Sequence, residues 1–479
     1  MNMKAHYQNY IDNQFVDSAG GESIQVQNPA TLEFLSKVPA SNSADVDRAV
    51  EAARKAQPAW QKLPAIERAG HIRKVAQKIR ENQERLARTI TMEQGKVLDL
   101  AMLEVAFTAD YMDYTAEWAR RIEGEIVESD RPGENIFLYR RPMGVVAGIL
   151  PWNFPFFLIA RKMAPALVTG NTIVIKSSEE TPINAFEFAE LVAECDLPPG
   201  VFNVVSGAGD TGAALTAHRD VDLVTFTGSV ETGSRIMEAA GRNLTRVNLE
   251  LGGKAPAIVL NDADLDAVAA AIHGGRILNT GQLCNCVERV YVQRGVADEL
   301  AEKVVRLMAD TRYGDPIAEQ NLQMGPLMNA EAVQNISSIV DRAKQQGAQI
   351  LTGGKVADRQ GYHYEPTVLT GCNATMDVMK KEVFGPVLPF QVVEDLDEAL
   401  VYANDTEYGL TSSIYTRNLQ SAMKAVHGLR FGETYINREH FEAMQGFHAG
   451  RRKSGIGGAD GKHGLYEFTE TQIVYMNYQ

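Results

Sequence analysis

The segment Gly281-Gln282-Leu283-Cys284-Asn285-Cys286 places a thiol beside flexible and polar residues. A cysteine that is activated by its surroundings attacks carbonyl carbons and forms covalent intermediates. A cysteine in a protein is more often buried and inert than reactive, so the segment alone leaves both interpretations open. Cys284 is the candidate nucleophile, and the residues around it must decide between a reactive and an inert cysteine.

Glu250 is the candidate for proton transfer. The segment Leu249-Glu250-Leu251-Gly252-Gly253-Lys254 places its carboxylate among apolar neighbours at the end of a predicted strand. Loss of water there favours the neutral carboxyl and raises its pKa towards the range useful for a general base. A structural ion pair between Glu250 and Lys254 is the alternative.

Asn153 is the candidate donor for a negatively charged oxygen. It stands in Pro151-Trp152-Asn153-Phe154-Pro155, where two prolines restrict the backbone. A rigidly held amide suits the oxyanion that forms when a thiolate adds to a carbonyl. The alternative is a turn asparagine whose side chain bonds to its own backbone.

Two glycine-containing turns follow predicted strands and could bind an anion. Gly207 to Gly212 matches the G-x-G-x-x-G pattern, with Gly209 at its centre. No acidic residue follows at the next strand end to contact a ribose, so a simple tight turn is the alternative. Thr225-Phe226-Thr227-Gly228-Ser229 precedes a predicted helix, whose backbone N–H groups and Ser229 hydroxyl could hold an anion or form an ordinary N-cap.

Short apolar runs alternate with amphipathic segments from Gly144 onward, which predicts a doubly wound parallel sheet covered by helices. The predicted strands are Val145–Ile149, Thr172–Ile175, Val201–Val205, Leu223–Phe226 and Arg246–Leu249, and the helices are Ala160–Leu167, Asn184–Glu194, Gly212–Ala217 and Val230–Ala240. A second α/β series begins near residue 255, with a strand at Ala257–Leu260, a helix from Asp262 and a strand at Val290–Val292.

Outside these series, the sequence predicts mostly helices before residue 120 and a strand at the end. Short strands surround the turn at Asp12-Asn13-Gln14, and Ser43 is the expected N-cap of the first helix. Further helices are expected at Ala65–Ala87 and Leu98–Arg120. Thr471 to Gln479 is expected to leave the body of the chain as a strand, a common way to reach a neighbouring subunit.

Composition excludes several classes of protein. The chain has 479 residues, a net charge of −14 and four cysteines. The acidic balance disfavours nucleic acid and membrane surfaces as partners. Few cysteines and an N-terminus without an apolar signal region favour a reducing, cytoplasmic location.

Cys284-Asn285-Cys286 lacks the spacing usual in zinc sites, so no metal is expected. Pro151, Asn153 and Pro155 interrupt the apolar stretch 144–160, which predicts a buried strand and a turn rather than a membrane span.

These motifs together resemble those of the aldehyde dehydrogenase family over essentially the whole chain. The matching stretches, in the family's order, are Pro151-Trp152-Asn153, Lys176-Ser177-Ser178-Glu179, Phe226-Thr227-Gly228-Ser229, Glu250-Leu251-Gly252-Gly253-Lys254, Gly281-Gln282-Leu283-Cys284, Glu382-Val383-Phe384-Gly385-Pro386 and Ser454-Gly455-Ile456-Gly457. Chance agreement at seven ordered places is negligible.

The resemblance implies an α/β fold with three parts. The implied NAD-binding domain, a doubly wound parallel sheet, comprises residues 1–120 and 141–254, and an α/β catalytic domain comprises 255–455. A small β oligomerisation ribbon would comprise 121–140 and 456–479. A homo-oligomer, either dimer or tetramer, is expected.

The resemblance also implies roles for the candidate residues. Cys284 would attack the aldehyde carbon, and Asn153 with the Cys284 backbone N–H would hold the oxyanion. Hydride would pass to NAD, and Glu250 would activate the water that hydrolyses the thioester. The residues implied in cofactor binding are Trp152, Lys176, Glu179, Gly209, Gly228, Ser229, Glu382 and Phe384.

Glu179 decides the expected choice of cofactor, because a carboxylate near the ribose 2′-position accepts a hydroxyl and repels a phosphate. NAD is therefore expected over NADP. Ser177 departs from the proline that the family usually has after the lysine, and this could soften the preference. Lys162 matches a family lysine near the catalytic centre, with a solvated helix lysine as the alternative.

Within the family, the chain resembles the bacterial members that oxidise lactaldehyde and glycolaldehyde. That likeness rests on the segments 156–162, 284–286 and 435–448. They offer four polar side chains where relatives often have apolar ones, namely Arg161, Asn285, Glu442 and His448. These groups are expected to bind the hydroxyl of a short 2-hydroxyaldehyde. The alternative is that some of them are only charged side chains at the rim of the site. Arg161 keeps succinate semialdehyde as the alternative substrate.

Two other classes of protein compete with this interpretation. A cysteine hydrolase would need a histidine base, and the histidine nearest to Cys284 in the sequence is His273. An inactive structural relative would lack the thiol or the base, and both Cys284 and Glu250 are present. Cys286 has no assigned role; packing and oxidation with Cys284 are the alternatives.

Overall fold

A computed structural model describes residues 3–479 of the chain. Its helices are α1 (Ser43–Trp60), α2 (Ala65–Glu81), α3 (Gln83–Gln94), α4 (Leu98–Glu117), α5 (Phe157–Thr169), α6 (Ile183–Ala193), α7 (Gly209–Ala217), α8 (Val230–Ala240), α9 (Leu265–Ile277), α10 (Ala297–Ala309), α11 (Ala330–Gln345), α12 (Asp377–Lys380), α13 (Leu396–Asn404), α14 (Leu419–Gly428) and α15 (Gly461–Tyr466). Its strands are β1 (Asn9–Ile11), β2 (Gln14–Val16), β3 (Ser23–Gln27), β4 (Phe34–Pro39), β5 (Glu125–Glu128), β6 (Glu134–Pro142), β7 (Val145–Ile149), β8 (Thr172–Lys176), β9 (Phe202–Val205), β10 (Leu223–Thr227), β11 (Arg246–Glu250), β12 (Ala255–Val259), β13 (Val287–Gln293), β14 (Gln349–Thr352), β15 (Thr367–Thr370), β16 (Val387–Val393), β17 (Thr411–Tyr415), β18 (Glu433–Ile436), β19 (Gly455–Ile456) and β20 (Thr469–Asn477).

The first large sheet has the strand order β19-β11-β10-β7-β8-β9-β1-β2. Its five central strands, β11 to β9 in that order, run parallel and confirm the predicted doubly wound sheet. The chain order reverses between β7 and β10, because β8 pairs with one edge of β7 and β10 with the other. Ligands in such sheets bind outside the carboxyl ends of the strands at this switch point.

The second large sheet has the order β14-β15-β16-β13-β12-β17-β18, and all its pairs except β14 with β15 are parallel. Its first strand in the sequence is β12, which starts at Ala255. Apolar residues fill both of its faces, with α9 and α10 on one side and α11 and α13 on the other. Strands buried on both faces explain the continuous apolar runs in the sequence.

A third sheet of order β20-β6-β5 is antiparallel. The C-terminal strand was expected to leave the body of the chain, and its hydrogen-bonding partner here is β6 of the same chain, from Thr469 opposite Pro142 to Asn477 opposite Glu134. The mixed α/β fold thus contains two large, mainly parallel sheets and one small antiparallel sheet. Within residues 3–479, no helix is both long and apolar enough to cross a membrane.

The start of α1 corrects the sequence-based prediction. Asn42, not Ser43, is the N-cap, and its side chain accepts from the backbone N–H groups of Ala44 and Asp45. The Asp45 carboxylate accepts in return from the Asn42 backbone N–H, which completes a capping box. Two reciprocal bonds satisfy more of the free donors than a single serine could.

The single helix predicted at Ala65–Ala87 is wrong, because Asn82 divides it into α2 and α3. Asn82 has φ −115 and ψ 15, and its Nδ2 donates to the carbonyl of Lys78 at 2.9 Å. An asparagine side chain that bonds to nearby backbone competes with the helix in this way.

The helix predicted from Asp262 begins instead at Leu265, with Asp264 as its N-cap. The Asp262 carboxylate accepts from the hydroxyl of Thr416 at 2.8 Å and from the backbone N–H of Arg417 at 3.0 Å. These bonds to the loop after β17 keep Asp262 outside the helix.

Candidate active site

A cavity of about 290 Å³ opens at the switch point of the first sheet, beside the second sheet. The loops after β7, β10 and β11 and the segment before β13 all reach it. The sequence-predicted residues that line it are Trp152, Asn153, Arg161, Gly228, Ser229, Glu250, Cys284, Asn285, Glu382, Phe384, Glu442 and His448. Lys176, Glu179 and Gly209, the other candidates, are outside this lining.

Cys284 is partly exposed to this cavity at the end of a tightly folded loop. Asn279 and Thr280 adopt positive φ values of 48 and 61, which is strained for residues with a Cβ atom. A Cβ atom at Gly253 would lie 2.5 Å from the Cys284 carbonyl oxygen, so only glycine lets the loop after Glu250 come this close. The loop conformation therefore fixes where the thiol stands.

Cys286 is buried, and its Sγ lies 3.1 Å from the carbonyl oxygen of Leu283. Burial raises the pKa of its thiol to about 12. Both features favour packing over reactivity for this second cysteine.

Asn153 is buried, and its amide Nδ2 donates to the carbonyl of Gln282 at 3.0 Å. A primary amide has two N–H donors, so a second one is left for a bound oxygen. Its Oδ1 also accepts from the backbone N–H of Phe154 at 3.1 Å. The turn interpretation and the donor interpretation are thus compatible in one side chain.

A buried ion pair between Lys96 and Glu104 holds the Asn153 loop. Lys96 donates from Nζ to the carbonyl of Asn153 at 2.9 Å, and both charged side chains are fully buried. Oε1 of Glu104 accepts from the backbone N–H groups of Phe156 at 2.9 Å and Phe157 at 3.1 Å, where α5 starts. The pair therefore fixes the loop on both sides of Asn153.

Glu250 ends β11 with its carboxylate buried, as the sequence predicted, and burial raises its pKa. Neither carboxylate oxygen has a hydrogen-bond partner within residues 3–479. The suggested ion pair with Lys254 is absent from the described residues, because Lys254 Nζ lies 2.7 Å from Oε2 of Glu288 instead. A buried carboxyl of raised pKa that faces a cavity can take a proton from water.

His448 stands between two carboxylates in the same cavity. Its Nδ1 lies 2.5 Å from Oε1 of Glu433, and its Nε2 lies 3.4 Å from Oε2 of Glu250. Burial and the Arg161 charge lower its pKa, but Glu250, Glu442 and the neighbouring Cys284 thiol raise it well above the ordinary value. The protein thus brings into the cavity of Cys284 a histidine that lies far from it in the sequence and that only the family resemblance placed in the site.

Arg161 is buried in α5 and already paired. Its Nε donates to Asp460 at 3.0 Å, its Nη2 donates to the other oxygen of that carboxylate, and its Nη1 lies 3.6 Å from Oε1 of Glu442. Two carboxylates compensate its single charge. Little positive charge remains to attract the carboxylate of a semialdehyde acid.

Asn285 and Glu442 meet at the wall of the cavity. Nδ2 of Asn285 donates to Oε2 of Glu442, while the Asn285 carbonyl accepts from the hydroxyl of Thr411 and from Nδ1 of His440, both at 2.8 Å. Burial lowers the pKa of His440 to about 4, so this histidine is neutral near pH 7. The position of Asn285 is therefore fixed, with one amide N–H left for a ligand.

Aromatic and aliphatic side chains form the rest of the wall. Phe107 packs on Phe157 with ring centroids 4.8 Å apart and on Phe441 at 6.0 Å. Leu158 and Leu283 also line the cavity. A small volume with apolar walls and a few fixed polar groups suits a short organic substrate.

The opposite side of the cavity contains Trp152, Glu382 and Phe384. The rings of Trp152 and Phe384 pack edge to face at 5.5 Å. Oε1 of Glu382 accepts from the backbone N–H of Gly253 at 2.8 Å, and burial raises the pKa of Glu382 to about 8. Phe384 has a φ of 54, which is unusual for an aromatic residue and marks a constrained loop.

Lys176 and Glu179 lie at the end of β8. Nζ of Lys176 is 3.0 Å from Oε2 of Glu179, and Glu179 is half-exposed. The Ser177 side chain between them is buried, and its Oγ has no hydrogen-bond partner in the part of the chain that the structure describes. A polar pair beside an unpartnered hydroxyl fits the binding of a ligand rich in hydroxyl groups.

Ser229 is the N-cap of α8, and its Oγ accepts from the backbone N–H of Thr232 at 3.2 Å. It also lines the cavity, so the capping role and an anion-binding role are compatible. Gly209 is the first residue of α7, and Thr211 packs against Gly207 in the preceding turn. The contact of Gly209 with a cofactor stays a prediction.

Lys162 is buried in α5 and is not the solvated lysine of the alternative interpretation. Its Nζ donates to the hydroxyls of Thr225 at 3.0 Å and Thr227 at 3.1 Å. Burial lowers its pKa to about 7. Lys162 thereby fixes the end of β10, where the cavity begins.

Sequence reasoning missed several residues that hold the site in place. They are Lys96, Glu104, Arg276, Glu288, Glu433 and Asp460. Each is charged and buried, or half-buried, opposite a partner that lies elsewhere in the sequence. Asp460 also has an unusual φ of 71, but a backbone angle is visible in the structure and not in the sequence.

Comparisons with known proteins agree with this geometry. The model of the aldehyde dehydrogenase family matches residues 15–474. The chain is similar to a lactaldehyde dehydrogenase of Escherichia coli (strain K12), with 55% identity over 477 residues that cover 99% of this chain and 100% of that protein. A crystal structure of lactaldehyde dehydrogenase from E. coli superposes with a TM-score of 0.98 at 55% identity, covering 99% of this chain and 100% of that chain.

Two further relatives are named for other aldehydes; the name of one contains NADP(+), and the other is a complex with NAD+. A succinate-semialdehyde dehydrogenase [NADP(+)] of E. coli (strain K12) is 37% identical over 467 residues, covering 97% of this chain and 96% of that protein. A crystal structure of a betaine aldehyde dehydrogenase from Staphylococcus aureus, in complex with NAD+, has a TM-score of 0.96 at 35% identity, covering 98% of this chain and 94% of that chain.

Proposed function

The chain belongs to the aldehyde dehydrogenase family, and on that premise we propose that it oxidises a short 2-hydroxyaldehyde, lactaldehyde or glycolaldehyde, to the acid with NAD. One observation carries the proposal: a cysteine and an asparagine amide from two loops and a buried glutamate from the end of β11 converge on one cavity. In the family, the reaction consumes aldehyde, NAD and water and yields carboxylate, NADH and protons.

Cys284, Asn153 and Glu250 divide the chemistry. The Cys284 thiolate adds to the carbonyl carbon, and the Asn153 amide with the Cys284 backbone N–H stabilises the oxyanion of the adduct. NAD, when bound, supplies the acceptor for the hydride that leaves this carbon as the thioester forms. Glu250 then takes a proton from water, which attacks the thioester and frees the acid and the thiol.

The cofactor residues proposed from the family resemblance fit the groups available. Trp152, Gly228 and Ser229 stand at the switch point of the first sheet, where nucleotides bind in such folds. The other proposed contacts are Lys176, Glu179, Gly209, Glu382 and Phe384. The Glu179 carboxylate supports NAD over NADP, because it accepts a ribose hydroxyl and repels a phosphate. The unpartnered Ser177 hydroxyl adds a hydrogen-bonding group beside this pair, but as a neutral group it does not discriminate between a ribose hydroxyl and a phosphate.

Fixed polar groups around the thiol support a hydroxylated substrate. Asn285 keeps a free amide N–H, and Glu442 and His448 face the same space. A site that hydrogen-bonds a substrate hydroxyl rejects the analogue without it, since its polar groups are then left unpaired. Succinate semialdehyde is less well supported, because Asp460 and Glu442 already compensate Arg161.

Steady-state kinetics test the proposal directly. NADH absorbance should give a kcat/KM for lactaldehyde about 10-fold or more above that for propanal, and Cys284→Ala should abolish both. Asn285→Leu should lower the value for lactaldehyde and leave propanal nearly unchanged. Equal values for the two aldehydes in the unmodified protein would remove hydroxyl recognition, and turnover by Cys284→Ala would move the chemistry elsewhere.

We also propose that the protein forms a homo-oligomer and works in the cytoplasm. Exposed apolar residues on the sheet β20-β6-β5, among them Ile126, Ile473 and Tyr475, support a subunit contact. Four free cysteines, one of them the proposed nucleophile, support a reducing compartment.

A further inference from the structure

A buried cluster of three charges lies next to the active site without belonging to it. Glu288 accepts from Nζ of Lys254 at 2.7 Å and from Nη1 of Arg276 at 2.9 Å. All three side chains are at most 1% exposed. Although burial raises the pKa of Glu288, Lys254 and Arg276 hold it near 2, so the carboxylate stays charged at any working pH.

The same carboxylate also holds the loop 382–385, which contains Glu382 and Phe384, the residues that the family resemblance assigns to the nicotinamide half of NAD; we call it the nicotinamide loop. The backbone N–H of Val383 donates to its Oε2 at 3.0 Å, and that of Phe384 donates to its Oε1 at 3.2 Å. Phe384 has its left-handed backbone conformation at this point, with a φ of 54. A bulky residue keeps such a conformation only where its surroundings enforce it, and Glu288 supplies two of the enforcing bonds.

The two cations extend the cluster to the other catalytic loops. Arg276 donates from Nη2 to the carbonyl of Gly281, three residues before the nucleophile. Lys254 follows Gly253, whose backbone N–H donates to Glu382 in the nicotinamide loop. A Cβ atom at Gly281 would lie 2.4 Å from the carbonyl oxygen of Gly385, so the two loops touch directly.

We propose that Glu288 is a positioning residue that sets the distance and angle between the nucleophile loop and the nicotinamide loop for hydride transfer. This inference rests on the proposed function. Glu288 lies outside the cavity lining and acts through Val383, Phe384, Lys254 and Arg276. Loss of Glu288 should therefore slow hydride transfer, which needs both loops correctly placed, more than it slows attack by the Cys284 thiol, which needs no nicotinamide.

Two reactions of the full-length protein separate these effects. NADH formation from lactaldehyde needs the aligned loops, whereas hydrolysis of 4-nitrophenyl acetate without NAD uses Cys284, Asn153, Glu250 and water but involves no hydride transfer. For Glu288→Gln we expect NADH formation to fall at least ~30-fold and ester hydrolysis less than ~3-fold, because misplacement by about 1 Å costs on the order of 100-fold in rate. The affinity for NAD, followed by quenching of tryptophan fluorescence, should weaken as well.

Glu93→Gln is the matched control. Glu93 is fully buried and accepts from the backbone N–H groups of Ile183 and Asn184, both at 2.8 Å, at the start of α6. It does not line the cavity. We expect this variant to lose thermal stability while NADH formation stays within ~3-fold of the unmodified protein.

Equal losses of both reactions in Glu288→Gln, or no loss of NADH formation, would overturn the proposal. Should Glu288→Gln fail to fold, Glu288→Asp keeps the charge but shortens the side chain, and unchanged NADH formation in that variant would overturn it equally. Absence of NADH formation from any aldehyde in the unmodified protein would instead refute the proposed function, so the two failures are distinguishable.

Discussion

The Glu433 carboxylate lies 2.5 Å from Nδ1 of His448, and His448 lines the same cavity as Cys284. Glu433 has a lowered pKa, since the bond and the charge of His448 outweigh its burial. The pair therefore holds a positive imidazolium next to Cys284. A cation at that place stabilises a thiolate.

His448→Gln should raise the pKa of Cys284. Burial already raises this pKa, Glu442 and Glu382 raise it further, and His448 opposes all three. Without the imidazolium, burial, Glu442 and Glu382 raise the pKa of the thiol unopposed. The rate of iodoacetamide alkylation should then reach half its maximum at a higher pH. Alkylation rates of the protein without substrate, measured from pH 6 to 10, check this expectation.

His440→Gln is the matched control for this experiment. His440 lines the same cavity but is neutral near pH 7, because burial lowers its pKa to about 4. Its replacement should leave the alkylation midpoint in place. A midpoint that moves equally in both variants would show that His448 acts by packing and not by charge.

Glu250→Gln should separate formation of the thioester from its hydrolysis. The amide keeps the size of the side chain but cannot take a proton from water. The variant should release about one NADH per active site in a burst, followed by a steady state on the order of 100- to 10,000-fold slower. Stopped-flow absorbance shows the burst, and added hydroxylamine should restore turnover, since it attacks a thioester without a base. A variant without a burst would place Glu250 before the thioester.

Ile126→Glu and Ile473→Glu test the proposed oligomer. Both side chains are more than half exposed, at 74% and 52%, on the sheet β20-β6-β5. A buried charge at a subunit contact is costly, so each variant should shift the protein to a smaller species. Light scattering after size-exclusion chromatography measures the mass. Phe34→Glu, with 54% exposure on β4, is the control and should keep the mass of the unmodified protein.

The five parallel strands of the first sheet could be predicted from the sequence, because their apolar runs are largely buried on both faces. β7 and α8 begin and end at the predicted residues. Glu250, Asn153 and Ser229 could also be placed, since each follows a predicted strand of this sheet and the carboxyl ends of parallel strands lie at the same edge. A local sequence pattern is therefore enough to predict where a residue lies when its position follows directly from the strand before it.

The residues that hold the site could not be predicted in this way. Glu288 lies within β13, where a charged residue on a buried strand gives no sign of its partners in α9 and in the loop after β11. The pairing of Glu433 with His448 depends on how β18 and a later loop pack together. Such contacts form only in the folded chain, which is also why Asn82 broke a helix that its neighbours favoured.

The ion pair of Lys96 and Glu104 leads to the last prediction, which concerns Asn153. The double variant Lys96→Met/Glu104→Gln removes both charges together, and its glutamine can still accept from the N–H groups of Phe156 and Phe157. It loses the bond from Lys96 to the Asn153 carbonyl, so the amide donor should shift and kcat should fall on the order of 10- to 100-fold.

A cycle with Asn153→Ala distinguishes positioning from general loss of stability. In that background the donor is already absent, so adding Lys96→Met/Glu104→Gln should lower kcat little further, and the coupling between the two changes should be large. Removal of one charge alone, as in Lys96→Met, should cost about 3–5 kcal/mol of unfolding free energy, because Glu104 would be left buried without its partner. Losses in kcat that simply multiply across the cycle would mean that the ion pair supports the fold without placing the Asn153 amide.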